Sequence, residues 1–192
     1  SWKVSNGLSP TAGGPSRPAA PGLVSTSGAA SATRRPSSSK LSGWLSWLTN
    51  PGAAGRLGPP AVGLKPFETF QLPAEGGAKA ITVQAVPAVH GPADGVRDDG
   101  GHVNCEVTGF VLSGVGLPTV YLSGDNASVA AVREIADRVG SVDVAVIFAG
   151  AARVPAKERG RPLTMTGQRT AAAAEVLGAR LVIPAHVDGW AQ

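Results

Sequence analysis

Three stretches of this chain are apolar and rich in β-branched residues, and each stops on a side chain able to hold a metal. Residues 118–122 end in Ser123-Gly124-Asp125. Residues 81–86 lead through Pro87-Ala88-Val89 to His90, and residues 181–183 lead through Pro184-Ala185 to His186. A chain leaving a buried strand needs a tight turn, and glycine supplies the backbone freedom for one at position 124. Open α/β sheets collect their ligands beyond the carboxyl ends of their strands. A fold that satisfies all three stretches must therefore bring several strand ends to one edge of one sheet.

The remaining segments agree with that demand. Residues 106–112 and 118–122 read as a hairpin around Ser113-Gly114-Val115-Gly116. Between 128 and 139, Val129, Val132, Ile135, Ala136 and Val139 fall on one helical face, and Gly140 ends the helix. Residues 142–148 are almost wholly apolar, as expected of a strand covered on both faces. Thr166 can cap a helix that runs to Leu177, with Gly178 as its stop, and residues 180–183 return as a strand. The order β, β-β, α, β, α, β is that of an α/β layered fold.

The first third differs in kind. Residues 1–55 are rich in Ser, Pro, Gly, Ala and Thr without a sustained hydrophobic period, so they are expected to be disordered, with the folded domain spanning 56–192. Within them, Leu41, Trp44, Leu45 and Leu48 could line a two-turn helix or form a loosely packed apolar patch. An Arg- and Ser-rich, acid-poor leader suits a transit peptide, but its prolines prevent a basic amphipathic helix. The chain starts at Ser1, and Met165 is its only methionine, which fits a start inside a longer protein.

Charge follows the same division. The 17 basic residues outnumber the 13 acidic ones for a net charge of +4, yet the first sixty residues contain no acid at all. The folded part is slightly acidic, and no basic element interleaved with aromatics marks a nucleic-acid face. Cys105 is the single cysteine, which excludes an intrachain disulfide and points to a reducing, cytoplasmic setting. No apolar run reaches the ~20 residues of a membrane span.

His90, Asp125 and His186 form a set of two imidazoles and one carboxylate. Such donors suit Zn²⁺, with Mn²⁺ or Fe²⁺ as alternatives, and three protein ligands leave a position for water. A metal there would activate that water for hydrolysis, with Asp125 as the catalytic carboxylate. Taken singly, each histidine reads as a hydrogen-bonded loop residue and Asp125 as a turn or cap; their shared strand-end placement favours the metal. His102 has the Gly-rich flanks of a plain loop, and Cys105 has no evident base beside it. Arg153, Lys157, Arg159 and Arg161 cluster between a strand and a helix, where they could bind an anionic small-molecule substrate or be simply solvated. Residues 142–150 resemble the central strand of short-chain dehydrogenases. The Gly-rich dinucleotide turn and the downstream Tyr-x-x-x-Lys pair of those enzymes are absent.

From Arg56 onward, Val86-Pro87-Ala88-Val89-His90-Gly91-Pro92, Tyr121-Leu122-Ser123-Gly124-Asp125 and Ile183-Pro184-Ala185-His186-Val187-Asp188-Gly189-Trp190 resemble the C-terminal part of a metallo-β-lactamase-fold hydrolase. The ascorbate-6-phosphate lactonase-like branch is the most similar. Pro162-Leu163-Thr164-Met165-Thr166, leading into an Ala-rich helix, adds to the likeness. The resemblance implies an αββα sandwich with a metal site between two sheets. His90 would bind one metal, Asp125 would bridge two, and His186 would bind the second, in hydrolysis of an ester, lactone or phosphoester. The His-x-His-x-Asp-His motif of that family is missing, since no histidine precedes His90. Residues 1–55 stand in its place, with a composition that a shifted reading frame or a replaced exon would yield. The resemblance therefore implies an incomplete sandwich and impaired hydrolysis, or else a non-catalytic remnant of the fold.

Overall fold

The computed structural model describes residues 47–72, 79–91, 106–156 and 158–188. Regular structure begins before Arg56, where the sequence reading starts the domain. Trp47–Thr49 is strand β1, and Pro51–Leu57 is helix α1. A local cap explains the earlier start: Asn50 accepts a hydrogen bond from Ala53 N at 2.7 Å, and Pro51 takes the first helical turn, where its lack of an N–H costs nothing. The two-turn helix left open for residues 41–48 is not formed at its end, because Trp47 and Leu48 belong to β1. Strand β2, Ala61–Gly63, pairs parallel to β1.

Among the described residues the main sheet has six strands in sequential spatial order. They are β3 (Thr69–Leu72), β4 (Ile81–Val89), β5 (Glu106–Ser113), β6 (Val120–Leu122), β7 (Val144–Phe148) and β8 (Leu181–Ala185). The first three connections are antiparallel and the last two parallel, so β4, β6, β7 and β8 all run the same way. Their carboxyl ends share one edge, as the three ligand-tipped stretches require. β5 and β6 form the expected hairpin.

Two strands continue through a proline. β4 passes Pro87 beyond Gln84, the last residue that β3 pairs, so among the described residues only β5 remains as a neighbour there. β8 passes Pro184 at the end of the strand order, where proline is tolerated because, among the described residues, one side of the strand is unpaired.

Helices α2 (Val129–Val139) and α3 (Gly167–Leu177) cover one face, and both are capped as their sequences dictate. Ser128 accepts from Ala131 N, Thr166 accepts from Arg169 N, and Gly178 closes α3 in the left-handed region at φ 60°. Val132, Ile135 and Leu177 are buried against Val86, Val111, Tyr121, Ala145 and Ile147 of the sheet. On the opposite face, Leu48 and Leu64 from the β1–β2 unit cover Phe70, Val83, Ala85 and Phe110. The chain is thus a layered, mixed α/β structure.

β7 departs from expectation. Ala145 and Ile147 are buried, whereas Val144, Val146 and Phe148 are only partly so. Among the described residues, helices cover one face of this strand and nothing seals the other. Apolar composition fits cover on both faces, but it cannot supply the second layer.

Candidate metal centre

Each of the three expected residues leaves the same edge of the sheet by a different local device. At the end of β6, Ser123 N donates to Val146 O at 3.0 Å and Ser123 Oγ accepts from Phe148 N at 2.9 Å, fastening the turn to β7. Gly124 then adopts φ 59°, a left-handed conformation that suits glycine, and delivers Asp125 to a buried position, 3 % exposed. His90 follows directly on β4 and is 6 % exposed. His186 follows on β8 with φ 58°, a conformation that costs a non-glycine residue about 1–3 kcal/mol and tends to persist where the surroundings over-determine it. Its ring leans on Phe148, with centroids 5.0 Å apart.

The three converge. His186 Nδ1 lies 3.2 Å from Asp125 Oδ1, and His90 Nε2 lies 4.0 Å from Asp125 Oδ2. Asp125 therefore stands between the two imidazoles. Asp125 Oδ1 and His186 Nδ1 are both hidden from solvent. Two imidazoles and a carboxylate brought together are donor types that fit Zn²⁺ or Fe²⁺. The arrangement is nevertheless open: among the described residues, no three of His, Cys, Asp and Glu stand close enough to enclose a metal ion. His102 and Cys105 lie outside the described residues.

Asn126 is the positioning residue that the sequence did not advertise. Its Oδ1 accepts from Val89 N and from Ser128 N, both at 3.0 Å, and its Nδ2 donates to Ser128 O at 3.1 Å. Ala127 N also donates to Val89 O at 2.7 Å. One buried amide thus ties the residue before His90 to the residue after Asp125. Arg169 of α3 adds a brace, donating to Ala127 O at 2.8 Å. The only signal for Asn126 in the sequence is an amide-bearing residue in a turn, which is too common to single out.

The family described as beta-lactamase superfamily domain matches residues 31–187. No curated protein matches the chain. Among solved structures, a possible metal-dependent hydrolase from Veillonella parvula is similar with a TM-score of 0.54 at 19 % identity, covering 72 % of this chain and 52 % of that one. An isothiocyanate hydrolase from Delia radicum gut bacteria gives 0.53 at 17 % identity, over 73 % and 52 %. CmlA, a diiron β-hydroxylase from Streptomyces venezuelae, gives 0.50 at 17 % identity, over 72 % and 30 %. The chain spans about half the length of the first two. At these identities the likeness is one of fold.

Proposed function

This chain belongs to the beta-lactamase superfamily, and from that premise we propose that it is a metal-dependent hydrolase of a small molecule, cleaving an ester, lactone or phosphoester. The observation that supports the reading best is the meeting of His90, Asp125 and His186 at one sheet edge, with Asp125 within ion-pair reach of both histidines. On this reading the three would have to draw together around the metal, which their present spacing does not enclose, and their donor types suit Zn²⁺, with Mn²⁺ or Fe²⁺ as alternatives. When bound, a divalent metal activates water and polarises the bond to be broken. The residues themselves supply position and charge. Asp125 is the catalytic carboxylate, shielded from solvent and set between two rings, and Asn126 fixes the distance between its turn and the end of β4. Phe148 supports one face of the His186 ring.

A second reading is a non-catalytic remnant that keeps half the fold. It draws on the open arrangement of the three ligands. Metal analysis by mass spectrometry, paired with lactone and phosphodiester hydrolysis on the same sample, separates the two. The hydrolase reading expects one weakly held metal per chain, slow turnover, and loss of metal affinity by at least about tenfold in His90→Ala and His186→Ala, since even outer-shell changes reach that size. A chain that takes up no metal, or whose metal is indifferent to both substitutions, belongs to the second reading.

A further inference from the structure

Asn126 ties the end of β4 to the turn that carries Asp125, and an amide side chain has positions for two accepted and two donated hydrogen bonds. Three of these are used: Oδ1 accepts from Val89 N and Ser128 N, both at 3.0 Å, and Nδ2 donates to Ser128 O at 3.1 Å. The side chain is wholly buried, so its second N–H is cut off from bulk solvent. A buried donor without an acceptor is costly, and the fourth position therefore asks for a partner inside the core.

Tyr121 supplies one. It sits at the centre of β6, paired with Val111 on one side and Ala145 on the other, and it is wholly buried in the apolar cluster that holds Val86, Val132 and Ile147. Its hydroxyl is buried as well and makes no hydrogen bond of regular geometry, and the Asn126 amide is the polar side chain within reach of it. Desolvation pushes the phenol above its ordinary pKa, and the Asn126 contact works against that rise. A partner that eases the ionisation of a phenol donates to its oxygen, so the contact runs from Nδ2 to the hydroxyl. Packing alone does not ask for that hydroxyl: phenylalanine would fill the same space without burying a polar atom. We propose that Tyr121 is a positioning residue of the candidate centre, its hydroxyl oxygen taking the fourth bond of Asn126 and locking the amide that sets the spacing between His90 and Asp125. The bond stands without a metal; that it serves a metal centre rests on the hydrolase reading.

Amide hydrogen exchange on the full, metal-free chain tests the bond, and zinc titration of the same preparations tests its use. Tyr121→Phe keeps the ring and its packing and removes only the oxygen. It is expected to speed exchange at the Val89 and Ser128 amides, which Asn126 holds, by about fivefold relative to the β4–β5 ladder, the worth of one net hydrogen bond. Zinc should bind Tyr121→Phe about fivefold more weakly than the parent, and in an Asn126→Ala background the tyrosine change should weaken it no further. Val111→Ala separates positioning from packing. It truncates the buried cross-strand neighbour of Tyr121, and should lower stability while leaving zinc affinity and the relative exchange of Val89 and Ser128 as in the parent. Unchanged exchange at Val89 and Ser128 in Tyr121→Phe, or an equal loss of zinc affinity in Val111→Ala, overturns the inference. Selectively faster exchange in Tyr121→Phe, with no zinc bound even by the parent, leaves the inference standing and removes the hydrolase reading. Zinc bound equally well by the parent and Tyr121→Phe does the opposite.

Discussion

The two faces of the six-stranded sheet are built from the same strands and fare differently. On the helix side, Tyr121, Ala145 and Ile147 are closed off from solvent by α2 and α3. On the other side, cover runs out along the sheet. The β3–β4–β5 end lies under Leu48 and Leu64, but at the β7–β8 end Leu181 is 53 % and Ile183 is 43 % exposed. Alternation assigns each face its residues, yet both sets are equally apolar. The β7–β8 end therefore carries the composition of a doubly covered strand while the described residues cover it once. Apolar residues contribute to stability by what lies against them, at roughly 25 cal/mol per Å² removed from water. The two faces should consequently respond to the same chemical change in different ways.

The largest contrast is expected from truncation. Ile135→Ala and Leu177→Ala each remove a side chain that is wholly buried between helix and sheet. Each should lower stability in urea by about 2–5 kcal/mol, the usual cost of a large-to-alanine change in a closed core. Leu181→Ala and Ile183→Ala, with the same chemistry on the uncovered end, should cost less than about 1 kcal/mol, because half of each side chain already meets water. Equal losses on the two faces would mean that the uncovered end is sealed by something outside the described residues.

The reach of sequence reasoning follows the same contrast. Strand ends, caps and turns were legible because their causes are local: Ser128, Thr166, Gly140 and Gly178 sit within a few residues of what they control. That the strands before His90, Asp125 and His186 end on one edge was legible too, because each apolar run stops just ahead of its polar residue and the three strands run the same way. The role of Asn126 was not, since its bond to Val89 crosses 37 positions of sequence. The regular structure between Trp47 and Leu57 was hidden by averaging: a Ser/Pro/Gly-rich window outweighed a sound Asn50-Pro51 cap. Cover on one face or both is the least legible feature, since a strand encodes its own polarity and not the presence of the next layer.

A smaller effect is expected where the uncovered end is held by polar bonds instead of packing. Asp143 enters β7, accepts from Thr119 N at 2.7 Å, and pairs with Arg180 at the start of β8. The Thr119 hydrogen bond comes first, and with the Arg180 charge it outweighs the opposing effect of desolvation, holding the carboxyl below its ordinary value. A folded pKa lower than the unfolded one means that the unfolded chain takes up the proton more readily. The contribution to stability is therefore complete above the unfolded value, about pH 4, and is lost as pH falls through the lowered folded value. Asp143→Asn should flatten the acid limb of a stability-against-pH curve while changing little at neutral pH beyond the lost Arg180 pair, an exposed contact of small worth. An unchanged acid limb would show that Asp143 does not link the three strands.

The smallest change in stability, and the most telling one for the two faces, should come from making the uncovered end polar. Ile183→Thr keeps the β-branch that favours a strand and replaces a methylene-bearing arm with a hydroxyl on a half-exposed surface. Leu181→Lys places a charge on the outermost strand, the usual guard against edge-to-edge pairing. Together they should change the unfolding free energy measured in urea by no more than about 0.5 kcal/mol, the range of ordinary surface substitutions. Because β8, among the described residues, presents both an unpaired edge and an apolar face, the same double variant should scatter less light at high concentration than the parent chain. The matching experiment on the helix side, Val182→Thr, places the hydroxyl on a strand residue that packs against the core under α2 and α3, and should destabilise by more than the open-side pair combined. If the open-side variant instead unfolds the chain, Leu181 and Ile183 are core residues, and the uncovered end has a cover of its own.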